Sequence, residues 1–231
     1  MGMTTHVTID SRFNGPPGAG NGGYCAGLVA AGMRGPVEVT LRRPLPVDRA
    51  LRIERGDGIR LWDGEALLLE AHAAPLGLEV PAAPSYVAAI AMSRDFSGFA
   101  SHPFPSCFVC GHARDVCDGL RIFPGRGGDD GIVAAPWVPE ESLAGDGGHV
   151  RAEFLWAALD CPGYFAIAEG GERAVLGRMA GVVDPTVTPG EPCVVVGWPI
   201  GRSGRKLQAG TALYDEWGTC RGRSLQTWIT I

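Results

Sequence analysis

An α+β protein made of two similar halves, each a single helix packed on one face of a long antiparallel sheet, is the fold class that the sequence predicts. Two observations lead there. Each of two helical segments is followed by a meander of strand-like runs separated by turn signals, with no further helical crossover that a parallel sheet would need. The whole plan then recurs after about half the chain, which suggests an internal duplication.

In the first half, "HVTID" within residues 5–10 is a strand and "NGPPGAG" a loop. "NGGYCAGLVAAGM" at 21–33 is a helix of small residues that ends near Gly35-Pro36. Strands follow at 37–45, 50–56, 58–62 and 65–73, punctuated by Gly56-Asp57-Gly58 and Asp63-Gly64. Residues 74–105 form a Pro/Ala/Ser-rich connector holding one helical segment, "SYVAAIAMSRDF". In the second half, "GIVAAPWVP" at 131–139 is a strand and "RAEFLWAALD" at 151–160 an amphipathic helix. Strands then run through "AVLGRMAGVVDPTV", "PCVVVGWPI", "RKLQAGTALYD" and "CRGRSLQTWITI". Residues 42–54 correspond best to 183–196. The expected organisation is therefore an N-terminal unit over 1–75, a connector over 76–105 and a C-terminal unit over 106–231.

The composition narrows the function classes. The chain has 231 residues, 45% hydrophobic and 19% charged, enough for a substantial core. A net charge of −5 with scattered arginines leaves no basic footprint, so no nucleic-acid partner is expected. No apolar run reaches the roughly 18 residues of a membrane span, and "MGMTTHVTIDSRFNG" lacks a signal-peptide layout. A cytoplasmic protein that does not enter the membrane is expected. Seven cysteines, an odd number, fit reduced thiols better than a disulfide framework. Cys107-x-x-Cys110 with His112 and Cys117 has the composition of a Cys3His zinc site. It is one knuckle without a second well-spaced pair, so buried reduced thiols are the expectation, with no metal and no cofactor.

The stretch Gly18-Ala-Gly-Asn-Gly-Gly23 fits G-x-G-x-x-G, the pyrophosphate-binding pattern. A dinucleotide fold also needs an acid at the end of the second strand, whereas Glu38 begins it, and hairpins replace the required crossovers. NAD is set aside. Gly22 and Gly23 leave open backbone N–H groups at a helix start, able to stabilise a carbonyl oxygen as it gains charge. Alternatively they serve only a tight turn and close helix packing.

Three stretches resemble the hot-dog fold, in which a curled antiparallel sheet wraps a central helix, and in particular the double hot-dog acyl-CoA thioesterases. "NGPPGAGNGGYCAGL" resembles their Asn-containing loop and His-Gly-Gly helix start, with Asn21 where His is usual and Asn14 near the loop Asn. "CFVCGHARDVCDGLRIF" resembles their Cys-x-x-Cys-Gly…Gly-Leu segment. "RAEFLWAALD" resembles the helix that ends in the catalytic acid. The first half has Ala30 where that acid would fall, and the second has Arg151-Ala152-Glu153 where the glycines would fall. The resemblance thus implies one composite site, in which Asn14, Asn21, Gly22 and Gly23 of one half meet Asp160 of the other.

In that reading Asp160 is general base or nucleophile, the Gly22 or Gly23 amide is the oxyanion donor, and an Asn positions water or the carbonyl. Asp160 could instead cap a second helix with Pro162 in its first turn. Trp156 and Tyr24 are assigned to the acyl pocket, with core packing as the alternative for Trp156. The implied partner is an acyl-CoA or acyl carrier protein thioester, and sheet-edge pairing into a homodimer is implied as well. Five histidines, none at the hydratase position, disfavour a dehydratase, and no G-x-S-x-G is present. The turn with Arg202, Arg205 and Lys206 reads as a solvated hairpin tip. The rival function is a non-catalytic hot-dog module binding an acyl or other small hydrophobic ligand.

Overall fold

A computed structural model describes residues 5–128, 130–168 and 172–231; residues 1–4 of the expected N-terminal unit lie outside them. The first half contains β1 (Thr5–Thr8), α1 (Gly22–Ala30), β2 (Val37–Leu41), β3 (Ala50–Arg55), β4 (Ile59–Asp63) and β5 (Ala66–Ala73). The connector carries α2 (Tyr86–Ser93). The second half contains β6 (Gly125–Arg126), β7 (Val133–Trp137), α3 (Ala152–Ala158), α4 (Asp160–Ile167), β8 (Ala174–Val183), β9 (Cys193–Ser203), β10 (Lys206–Tyr214) and β11 (Cys220–Thr230).

The expected pair of sheets is one sheet of eleven strands, ordered β1-β3-β4-β5-β2-β8-β11-β10-β9-β7-β6. The two halves appear in it as 1-3-4-5-2 and 7-9-10-11-8, so each strand of the first half has a counterpart in the second, and the short β6 is an addition at the second half's edge. Every pairing between named strands is antiparallel. The halves join where β2 pairs with β8, Val37 opposite Gly181 through Thr40 opposite Arg178. Joining the edges satisfies backbone groups that two separate sheets would leave open.

Both halves bury their helices in one continuous core. α1 is buried at Gly23, Tyr24, Cys25, Ala26, Gly27, Val29 and Ala30, which accounts for its lack of a polar face. It crosses α3 closely. A Cβ on Gly23 would lie 2.6 Å from Asp160 Cβ and 2.7 Å from the Trp156 carbonyl oxygen; one on Gly27 would lie 2.5 Å from Glu153 Cα. Two glycines four residues apart form one face of the helix and admit the neighbouring backbone.

The expected helix at 151–160 ends sooner and a second one follows. α3 stops at Ala158, Leu159 is the junction, and α4 starts at Asp160. Pro162 explains the break: without an N–H it cannot bond the Ala158 carbonyl, and its ring crowds that oxygen. The Leu159 carbonyl at the junction accepts from Gln226 Nε2 of β11 at 2.5 Å, and Gln226 Oε1 accepts from Trp228 Nε1 at 2.8 Å. The connector is not a bare linker. Ala89 of α2 packs with Ala134, Val194, Val196, Ala212 and Tyr214 on the sheet face away from the main core.

Candidate active site

Where α1 starts and α3 gives way to α4, the two halves touch through a polar contact. Gly23 N–H donates to Asp160 Oδ2 at 2.9 Å, across 137 residues of sequence. Asp160 is 2% exposed, and its other oxygen, Oδ1, is buried without a hydrogen-bond partner. Burial pushes the Asp160 carboxyl up to about 7, while the Gly23 N–H and the Asn21 amide pull the other way. Asp160 is the first residue of α4 and makes no capping bond to it, so its carboxylate is directed across to α1.

Asn21 is the N-cap of α1. Its Oδ1 accepts from Tyr24 N–H at 2.9 Å, which turns Nδ2 toward Cys107 Sγ at 3.8 Å. Its backbone N–H bonds Phe13 O at 2.8 Å and its carbonyl receives Cys25 N–H at 3.0 Å. Among the described residues the Gly22 N–H, between Asn21 and Gly23, has no protein partner.

Asn21, Gly22 and Asp160 border a cavity of about 530 Å³, which Gly23, its N–H turned to Asp160, does not itself line. Asn21, Gly22, Asp160, Cys107, Cys110 and Cys161 line its polar end. Its remaining wall is mostly apolar, including Leu41, Phe104, Phe165, Leu176 and Trp228 from both halves and the connector. The size and lining suit a small, largely apolar ligand. Arg43 also lines it; the residue is exposed and has no ion pair among the described residues.

Not every expected residue reaches this cavity. Asn14 does not line it: Oδ1 is held by the Arg114 guanidinium and Nδ2 faces Ser106 Oγ at 3.4 Å, so the side chain ties the 13–20 loop to the 105–114 loop. Tyr24 stacks on Phe13 with ring centroids 4.3 Å apart and borders Phe108 and Phe154 in the core. Trp156, 3% exposed, is also core, its ring against Gly181 of β8. Arg202 pairs with Glu172 and Arg205 with the Thr230 carbonyl, and neither lines the cavity.

Other wall residues escaped the sequence reading. His102, from the connector, has Nδ1 accepting Phe104 N–H at 3.0 Å, which puts the proton of the neutral ring on Nε2; that atom is buried without a partner. Burial lowers its pKa from the ordinary histidine value. Cys161 meets Cys107 with their Sγ atoms 3.7 Å apart. For Cys161 the signal was its place beside the candidate acid. For His102 no local pattern marked it.

No family model matches the chain, and no curated protein does. Solved structures do. A protein of unknown function with hot dog fold from Alicyclobacillus acidocaldarius is 13% identical with a TM-score of 0.65, over 100% of this chain and 94% of that one. A candidate thioesterase II from Thermobifida fusca is 15% identical with a TM-score of 0.61, over 100% and 94%. The tesB protein of Mycobacterium avium subspecies paratuberculosis is 14% identical with a TM-score of 0.62, over 94% and 89%. At such identities the likeness establishes the fold, and this chain has a hot-dog fold.

Proposed function

We propose that the chain is a double hot-dog acyl-thioester hydrolase working at one composite site between its halves. The contact that carries the reading is Gly23 N–H to Asp160 Oδ2, which holds Asp160 beside Gly22 on the wall of a largely apolar cavity. One half supplies helix-start amides, the other a carboxylate with a free oxygen. The equivalent position in the first half is Ala30, which has no acid to offer.

The chemistry follows from the arrangement. Asp160 Oδ1 takes a proton from water as the water oxygen attacks the thioester carbonyl carbon. The oxyanion is stabilised by a backbone donor, a role that falls to Gly22 N–H because Gly23 N–H is engaged by the carboxylate. Collapse breaks the C–S bond, and the leaving thiolate takes the proton from Asp160. The apolar wall holds the acyl group, and the exposed Arg43 at the rim suits the phosphates of a coenzyme A or acyl carrier substrate. Thioesterase names among the structural neighbours support the same reaction class.

The test is hydrolysis of short, medium, long and aromatic acyl-CoAs and acyl carrier protein thioesters by wild type and Asp160→Asn. Turnover should fall by about 10²–10⁴ in the variant with ligand binding retained. Binding without turnover in the wild type would instead identify the module as a non-catalytic carrier of a small hydrophobic ligand.

A further inference from the structure

Three of the seven cysteines meet at the polar end of the cavity, and the function proposed above uses none of them. The Sγ atoms of Cys107, Cys110 and Cys161 all lie within 4.8 Å of one another. All three side chains are buried. They arrive from two separate elements: Cys107 and Cys110 from the loop after the connector, Cys161 from the first turn of α4. The grouping differs from the one the sequence suggested. Cys117 is exposed at a left-handed backbone position (φ 70°), and His112 is exposed and borders Phe99 and His102.

The spacing has a chemical meaning. Thiolates tetrahedrally bound to zinc, with bonds of about 2.3 Å, sit about 3.8 Å apart. Cys107 and Cys161 are 3.7 Å apart. Two hydrogen-bonded thiols could approach as closely, but here a third sulfur, Cys110 Sγ, lies within 4.8 Å of both. The Cys107 sulfur is faced by Asn21 Nδ2 at 3.8 Å as well as by Cys161 Sγ at 3.7 Å. An amide N–H aimed at a sulfur that already has two further sulfurs around it matches the outer hydrogen bond that orients a metal-bound thiolate.

The loop is built to hold this geometry. Gly111 N–H donates to Cys107 O at 2.8 Å, and a Cβ on Gly111 would lie 2.4 Å from that oxygen and 2.6 Å from Pro105 O. Only glycine closes so tight a knuckle.

We propose that Cys107, Cys110 and Cys161 bind one zinc ion on the cavity wall, with water from the cavity as the fourth ligand. The inference goes beyond the hydrolase reading and does not depend on it. Asn21 then has two tasks, capping α1 and donating to a ligand sulfur. Asp160, next in sequence to Cys161, stands beside the ion.

The test is metal content and metal spectroscopy of the full chain, purified without added metal under reducing conditions. One zinc per chain is expected. Chelator-stripped protein titrated with Co(II) should show thiolate-to-cobalt charge-transfer absorption and the intense visible bands of a tetrahedral site. Cys161→Ser should lower Co(II) affinity by about tenfold or more, whereas Cys117→Ser and His112→Ala should not change it. A folded wild type with neither zinc nor charge-transfer bands would overturn the site. So would a Cys161→Ser variant that keeps wild-type affinity. A metal-free chain that hydrolyses thioesters would sink this inference alone, and a zinc-bound chain that hydrolyses none would sink only the function proposed above.

Discussion

Asp160 and Gly23 act as a pair, and each explains a constraint on the other. The carboxylate needs a donor where α1 begins, and the donor's residue must leave room for Asp160 Cβ and the Trp156 carbonyl. A Gly23→Ala substitution puts a methyl group 2.6 and 2.7 Å from those atoms. Backbone cannot rotate aside, so the helices must separate. We expect a loss of about 1–3 kcal/mol in stability by denaturant titration and a larger loss of turnover than of substrate binding. An alanine variant as stable and active as wild type would show that the crossing is looser than described. The same reasoning separates Asn21 from Asn14. Both looked able to position a substrate, but Asn21 stands on the cavity wall and Asn14 is spent on Arg114 and Ser106.

The break between α3 and α4 decides where Asp160 points. A continuous helix through residue 160 would keep turning at the ordinary pitch, but Pro162 ends it at Leu159 and α4 sets off on a new axis across β9 and β10. A buried polar cluster on the sheet holds the junction. Thr211 Oγ1 and Ser224 Oγ are 2.7 Å apart, and Gln226 Nε2 reaches Ser224 Oγ at 3.1 Å as well as the Leu159 carbonyl. Gln226 is therefore a positioning residue for the carboxylate. Replacing it by Leu keeps the volume but strands the Leu159 carbonyl and the Trp228 indole N–H. That should cost about 2–4 kcal/mol of stability. It should also lower kcat more than it changes KM, and Gln226→Glu, which still accepts from Trp228, should recover part of the stability. Unchanged unfolding midpoints for Gln226→Leu would refute the role.

Across the whole molecule the two halves cannot be treated as independent domains. They share the β2–β8 ladder, an ion pair between Glu38 and Arg178 at 3.5 Å, the α1–α3 crossing and one hydrophobic core. Separating them would expose both sheet edges and the glycine faces of the helices. Calorimetry should accordingly find one unfolding transition with a calorimetric to van't Hoff enthalpy ratio of about 1. Two resolved transitions would mean that the halves fold separately. Their common strand order also makes sense of the asymmetry of the proposed site. The two helix starts are topologically equivalent, but one has Asn21-Gly22-Gly23 and the other Arg151-Ala152-Glu153, and only one partner helix is followed by an acid.

Local rules carried the reading a long way. Period-two runs, Gly-centred turns and small-residue helices located α1, α2 and the strands β1–β5 and β7–β11 to within a few residues, because each is specified by neighbours along the chain. The short strand β6 carried no such signal. The pairing of Asp160 with the Gly22-Gly23 helix start could be anticipated only through the resemblance. Side-chain direction was not available locally: Tyr24 and Trp156 have the composition of pocket residues, yet the helix crossing turns both into the core. His102 and the Cys107–Cys110–Cys161 cluster were hidden for a related reason, since their partners lie on other elements and meet only once α4 has changed direction. The sequence by itself determined most of the elements and their order and suggested their duplication, since these depend on periodicity and turn chemistry. Only the tertiary structure decided that the sheets fuse into one and which polar groups share the cavity, because those outcomes depend on edge pairing, a helix break and the close approach that glycine permits.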